Sequence, residues 1–517
     1  MRLRLSEQQT SRNCLLTPLF LLLVTIATRI PFTSKFLYHY DSCHFALALK
    51  KYDLAIHQPH PPGYFLYVML GRLVNIVIDD SNTVFVSISV FFSALTVVAI
   101  YYLGKELYQR NTALLAAALA VTSPNLWFHG EVALTYVVEA FFSTLIAVFC
   151  YRIMKGKQDY FWLAAVTLGI AGGIRQNTPV FLFPLWLYAM KDLPLRKIIV
   201  SLGIFVLVSL SWFIPMIWMT GGWDRYQNAF KELWLFNTGH NSVFERGWFA
   251  FRRYSSTIFR FVIYGVGAGL PVLGLTAYLF IKGGKTESID KRRFIFFSLW
   301  VIPSVLFYLL VFIHPNNPGY SLIFLPALLI LTAAGTEFLA NRTKRFTYEN
   351  SRNVLSATLI VSNAIFFLFL KNPVSFHEIR EHDRTLPALL DSLRIFNPSK
   401  TVLFASTNIY YGFRHIMYYL PEYEVYQIDM RTATTGEIRK TFGGVHEETF
   451  LTSEIALPAN ITSFATLIIG GEKRIYGTDA LTTREVVPSI YLASGSLQLL
   501  NKVYPELRLT SQPVEMR

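Results

Sequence analysis

Asp41 is the residue whose position points most directly to chemistry. It heads the first polar stretch after the first apolar run, Asp41-Ser42-Cys43-His44 through Tyr64, with two aspartates, three histidines and two lysines. A carboxylate at the edge of a membrane can take a proton from a hydroxyl acceptor as a general base. Asp41 also reads as a helix N-cap, because Phe45, Ala46, Ala48 and Leu49 follow it. The two roles are compatible. His57 and His60 come next, in His57-Gln58-Pro59-His60-Pro61-Pro62-Gly63-Tyr64. Pro-Pro-Gly sets a stiff turn that would hold both imidazoles near Asp41, and Tyr64 suits an interfacial anchor. His-x-x-His could ligate a divalent metal. The intervening Gln-Pro is not helical i, i+4 spacing, however, so no metal ligand is assigned.

Further polar groups sit in oily surroundings. Glu131 lies at the outer end of an apolar run, and Glu139 is two turns deeper on roughly the same face, with Tyr136 close by. An ionisable group inside a span is costly and reads as functional. Glu139 reads equally as protonated or hydrogen-bonded between helices. Arg175, in Gly172-Gly173-Ile174-Arg175-Gln176-Asn177, suits an anionic oxygen group such as a phosphate, or a lipid headgroup. His314 with Asn316 and Asn317 could contact phosphate or sugar, as could Arg246, Arg252 and Arg253. The arginine cluster also fits an interfacial helix lying on headgroups.

The elements that must position these residues are membrane helices. Of 517 residues, 53% are hydrophobic and only 15% charged, against about 25% charged in a soluble domain. Mean hydropathy is +0.39. Eleven apolar runs approach the length of about 20 residues that a crossing needs: 14–30, 83–103, 112–128, 132–151, 160–174, 178–190, 198–220, 257–281, 294–313, 319–340 and 354–370. A twelfth, 62–78, is interrupted by Gly71 and Arg72.

If 62–78 lies on the surface as an amphipathic helix, the basic loops 104–111, 152–159, 191–197, 282–293 and 341–353 all fall on one side with the N-terminal arginines. That is the cytoplasmic side by the positive-inside rule. Were 62–78 to cross, every later basic loop would flip outward. The net charge of +14 is then retention of inner loops. No basic, aromatic-interleaved face suggests nucleic acid. The outer side receives 31–82, the turns at Glu131 and Arg175, loop 221–256, the His314 loop and everything beyond 371, hence all eleven histidines.

From about 371 the chain turns polar, with β-type runs at 401–405, 424–428, 466–469 and 489–493 and a helix-like pattern over 407–419. This predicts a small outer α/β domain at 371–517 beside a membrane module at 1–370. Cys14, Cys43 and Cys150 are too few and too scattered for a disulfide framework or zinc spacing. The N-terminal run reads as an uncleaved helix, since Arg29-Ile30-Pro31-Phe32 is no small-x-small cleavage site. Asn460-Ile461-Thr462 is a sequon on the outer side. The setting is read as a bacterial plasma membrane with the site facing the periplasm or exterior.

Several segments together carry a family resemblance. They are Asp41, Tyr52-Asp53, His60-Pro61-Pro62-Gly63-Tyr64-x-x-Tyr67, the Tyr101–Tyr108 exit from the second run, Glu131, and Gly319-Tyr320 with Pro326. Over about 14–340 the chain resembles the GT-C superfamily of polyprenyl-phosphate-sugar-dependent glycosyltransferases, which includes protein O-mannosyltransferases and aminoarabinose transferases. The His-Pro-Pro-Gly-Tyr form is similar to a branch with Pro-Pro-Gly in its first loop. The resemblance implies a polytopic α-helical membrane protein of GT-C type, with about eleven spans, interfacial helices and a C-terminal extracytoplasmic α/β domain.

It also implies transfer of a sugar from a polyprenyl phosphate to a glycan, lipid or protein hydroxyl. Asp41 would be the base and Glu131 the second acidic group. Arg175, His314, Arg246, Arg252 and Arg253 would serve the donor phosphate. His57, His60, Tyr64, Tyr136, Glu139 and Asn316 would serve the substrates. The family's Glu-Val-Tyr is here Glu131-Val132-Ala133, with Tyr136 further on. A divalent metal goes with some branches of the superfamily and not others. A transporter or flippase of lipid-linked sugars would share the spans and charge bias, but would place charges at mid-membrane in broken helices. An O-antigen polymerase or ligase would carry its large loop late.

Overall fold

The computed structural model describes residues 2–239, 241–283, 290–342, 347–406, 408–427, 454–469, 482–499 and 508–512. The chain divides into two compact units. One joins Met1–Ser34 to Pro61–Ile379, and the other joins Lys35–His60 to Arg380–Arg517.

The first unit is helical. Among the described residues, seven helical stretches are long and apolar enough to cross a membrane: Leu15–Phe32, Ser81–Leu107, Tyr136–Met154, Leu195–Met219, Val243–Lys282, Lys291–Leu310 and Tyr348–Leu368. Each takes up one of the eleven apolar runs. The other four runs fold as Arg110–Thr122 with Pro124–His129, as Phe161–Ile174, as Asn177–Ala189, and as Leu325–Arg342. Helices of 13 or 14 residues reach only about 20 Å at 1.5 Å per residue, short of a hydrocarbon core of about 30 Å. Of the eleven expected spans, seven meet the length and composition of a crossing helix on their own among the described residues. The rest are shorter or less apolar helices packed against them, as Arg110–Thr122 is against Ser81–Leu107 and Leu325–Arg342.

The stretch expected to lie on the surface is an 11-residue helix, Phe65–Asn75, about 17 Å long and too short to cross. Asp80 starts the helix after it, accepting hydrogen bonds from the Thr83 amide at 2.7 Å and the Thr83 hydroxyl at 2.6 Å.

The second unit is built on a sheet. Its strands are β1 (Thr401–Ala405), β2 (Val425–Gln427), β3 (Glu454–Pro458), β4 (Ser463–Ile469), β5 (Thr482–Val487), β6 (Ile490–Ser496) and β7 (Arg508–Gln512). Five of them run in the order β2-β1-β4-β6-β5, and β3 pairs with β7. β1 is parallel to β2 and β4, and β6 is antiparallel to β4 and β5. All four expected β runs are strands, although Ile428 lies outside the described residues. The expected helix over 407–419 is Phe413–Tyr419.

Leu386, Leu389, Leu390 and Leu393 recur at helical spacing and pack on Leu403, Ala405, Phe413, Ile416, Ala465 and Leu467. Phe36 and Leu47 join the same core. The loop that carries Asp41 thus belongs to this unit. The Tyr40 amide donates to the Ile409 carbonyl at 2.7 Å. The Leu37 amide donates to the Tyr419 hydroxyl at 2.9 Å, and Arg414 donates to the Ile56 carbonyl at 2.8 Å.

Candidate functional site

Two polar clusters gather the sequence-expected residues, one in each unit. In the second unit, helix Tyr40–Lys50 begins at an N-cap that is His39, not Asp41. His39 Nδ1 accepts from the Asp41 amide at 3.1 Å, and Ser42 Oγ accepts from the His39 amide at 3.3 Å. Asp41 instead occupies the first turn, where the helix dipole favours a carboxylate. Its oxygens lie 3.5 Å from His39 Nδ1 and 3.7 Å from His60 Nδ1. The Asp41 side chain keeps 22% of its surface exposed.

His44 stands three residues on, so it shares the helix face of Asp41. Its Nδ1 lies 3.0 Å from His60 Nδ1. The segment leading to His60 is fixed by Asp53 and Gln58, which exchange backbone hydrogen bonds at 2.6 and 2.9 Å. The Asp53 carboxylate caps the Ala55 amide at 3.1 Å.

Burial pushes His44 well below the usual histidine range and brings His57 down to about 3, so both rings are neutral near pH 7. His57 packs its ring 5.9 Å from that of His44. The sequence reading left His44 out of the site. Its signal was Asp41-x-x-His44 at the start of a helix. Asp41, His44 and His60 offer one ligand atom each, all within 4.8 Å of one another, and so could hold a metal ion.

In the first unit the centre is Arg175, which ends helix Phe161–Ile174. Its Nε lies 3.1 Å from Glu139 Oε2, and its Nη1 donates to Thr135 Oγ1 at 3.0 Å. Thr178 donates to Glu139 Oε1 at 2.8 Å. Three tyrosine rings face the guanidinium: Tyr136 at 4.3 Å, Tyr64 at 5.6 Å and Tyr320 at 5.7 Å. This is a cation–π cage. Asn317, the neighbour of the expected Asn316, donates to the Tyr136 hydroxyl at 2.7 Å. Arg175 and Glu139 are both buried. The sequence singled out Tyr64, Tyr136, Glu139 and Arg175 separately, and the fold brings them together.

Other expected residues lie elsewhere. Glu131 is fully buried and acts electrostatically on Arg29. Arg29 is itself buried, donates to the Val121 carbonyl at 2.8 Å and stacks over Trp127. His314 Nδ1 accepts from the Asn316 amide at 3.3 Å, in the loop that goes on to Asn317 and Tyr320. Arg246, Arg252 and Arg253 are exposed on helix Val243–Val266, near exposed Phe244, Trp248 and Phe249. Exposure of this kind suits contact with a phosphate and with lipid headgroups alike.

Residues 59–219 match the family model described as dolichyl-phosphate-mannose-protein mannosyltransferase. No curated protein matches the sequence. Among solved structures the chain is similar to ArnT from Cupriavidus metallidurans in the apo state, with a TM-score of 0.55, at 10% identity over 95% of this chain and 99% of that one. It is similar also to that protein bound to undecaprenyl phosphate, with a TM-score of 0.55, at 11% identity over 93% and 97%. At such identity the structural likeness speaks to the fold. The resemblance, the helical membrane fold with a small sheet domain, and the glycosyltransferase class expected from the sequence are borne out.

Proposed function

We propose that this chain, a multi-pass membrane glycosyltransferase of the GT-C type, moves a sugar from a polyprenyl phosphate to an acceptor hydroxyl at the outer membrane surface, with Asp41 as general base. The observation that carries the assignment of the base is the carboxylate itself. It is held on the first turn of a helix, partly exposed, between the imidazoles of His39 and His60. The family match begins at residue 59, inside the same loop. The donor class is supported by the undecaprenyl phosphate bound to the structurally similar ArnT.

The acceptor O–H gives its proton to Asp41 as the oxygen attacks the sugar C1. The C1–O bond breaks, and the polyprenyl phosphate leaves with the electron pair. A phosphate needs no strong acid to leave, but positive charge stabilises it as the bond breaks. Arg175 supplies that charge. Of its five N–H donors, contacts to Thr135 and Glu139 engage Nε and Nη1, and the rest can take a phosphate oxygen. Glycan, lipid and protein hydroxyls all fit as acceptors.

The test is the full chain in lipid, given a panel of radiolabelled polyprenyl-phosphate sugars, wild type against Asp41→Asn. Loss of a general base costs roughly 10²–10⁴ in rate, so the expected result is release of polyprenyl phosphate by wild type alone. Equal release by both proteins would remove Asp41 as base. No release from any donor, with labelled lipid crossing the bilayer instead, would replace the transferase by a flippase.

A further inference from the structure

We propose that Asp41, His44 and His60 form a binding site for a divalent transition-metal cation of the zinc type. The three ligand atoms come from one helix face and the loop that returns to it, within a single compact unit. In a tetrahedral site with bonds of 2.0–2.1 Å, neighbouring ligand atoms stand about 3.3 Å apart. Here the two imidazole nitrogens are 3.0 Å apart, and the second of them is 3.7 Å from the carboxylate. These separations bracket that value, and small side-chain rotations would meet it.

The rings are already aimed. Tyr40 packs edge-on against His44 with centroids 4.3 Å apart, and Phe45 packs on His60 at 5.9 Å. The two Nδ1 atoms already face each other at 3.0 Å, so both rings are turned toward the place a cation would take.

Ligand chemistry selects the ion. Two imidazoles and one carboxylate suit zinc, cobalt or manganese, whereas magnesium and calcium take oxygen ligands almost throughout. Three protein ligands leave a coordination position open, as in catalytic rather than structural zinc sites. One Asp41 oxygen can ligate while the other remains to accept a proton, so the site is compatible with the proposed base and does not depend on it.

The test uses the full chain in detergent, stripped with a chelator, then loaded with zinc or cobalt and freed of excess by gel filtration. Elemental analysis is expected to find one equivalent in wild type, and cobalt is expected to give a visible absorption band. His44→Ala and His60→Ala should each lose the equivalent and the band. Asp41→Asn, at a partly exposed position, guards against a folding artefact and should weaken binding at least tenfold. His377→Ala, remote in sequence from the three ligands, should retain both signals. Wild type no better than the stripped baseline would overturn the site, as would full retention in the three ligand variants. Stoichiometric metal without turnover of any donor would keep the site and remove the transferase reading. Turnover by protein that binds no metal at any concentration would do the reverse.

Discussion

The Arg175 and Asp41 clusters hold similar residue types and use them in opposite ways. Around Arg175 a buried guanidinium meets a buried carboxylate through its Nε edge and is enclosed by Tyr64, Tyr136 and Tyr320. Around Asp41 the imidazoles His44 and His57 are held neutral and the carboxylate stays partly exposed. The first cluster gathers side chains from four separate stretches of sequence. The second comes from a single stretch of 22 residues, 39–60. A buried ion pair ties distant helices together and resists change. A half-open carboxylate beside neutral rings costs little to hold and is available for proton or metal chemistry. The contrast predicts that mutations at Arg175 act first on stability, and those at Asp41 on turnover.

The largest expected effect comes from splitting the Arg175–Glu139 pair. Arg175→Met or Glu139→Leu alone leaves an uncompensated buried charge, which costs about 3–5 kcal/mol. The double variant removes both charges and should recover most of that loss, while still failing to turn over a donor. Denaturant unfolding of the four proteins in detergent, read as a double-mutant cycle, measures the coupling. A double variant as unstable as the sum of the singles would show that the two side chains do not act as a pair.

Gly319→Ala tests the same cluster more gently. A Cβ there would run into the Tyr136 ring and stand 2.7 Å from His129 Nε2. Overpacking of this kind costs about 1–3 kcal/mol. The unfolding midpoint should fall, and Tyr136→Leu in the same chain should restore part of it by opening space. An unchanged midpoint in Gly319→Ala would mean that the cage is looser than its ring distances indicate.

How much of this was legible in the sequence follows from the range of the interactions. Seven apolar runs became long helices because length and hydropathy are local properties. The runs 112–128, 160–174 and 178–190 hold helices of only 13 or 14 residues, because a run's apolar character does not show where its helix stops: Ser123-Pro124 ends one, and Arg175 ends another. Asp41, Arg175, Glu139 and Tyr136 could be picked out one by one as polar groups in oily surroundings. The pairing of Arg175 with Glu139 could not, since 36 positions separate them and only helix packing joins them. Nor could the choice of Asn317 over Asn316, which a turn of the backbone decides. The membership of 35–60 in the C-terminal unit rests on Phe36 and Leu47 reaching a core centred on 386–467, a long-range contact with no local signature. Arg246, Arg252 and Arg253 looked alike as phosphate ligands and as headgroup contacts.

The smallest effect sharpens the comparison from the other unit. His382 is buried between Tyr38 and Tyr411, with ring centroids at 4.8 and 5.4 Å, and its Nε2 donates to the Tyr410 carbonyl at 3.2 Å. Burial lowers it from the ordinary 6.5 to about 3. Between those values the unfolded chain binds a proton that the folded unit refuses, so stability rises with pH across the window and is lost as pH falls from 6.5 toward 3. Each pH unit is worth roughly 1.4 kcal/mol for a fully buried group. Lowering the pH from 7 to 5 therefore costs about 2 kcal/mol from this residue, and His57 adds to it in the same direction. Hydrogen exchange, corrected for its intrinsic pH dependence, should show peptides from 35–60 and 380–420 losing protection before those from 136–154. His382→Phe should flatten that dependence by the His382 share, because no proton is then refused. Equal loss in both sets of peptides, or an unaltered slope in His382→Phe, would remove the buried histidine as the cause.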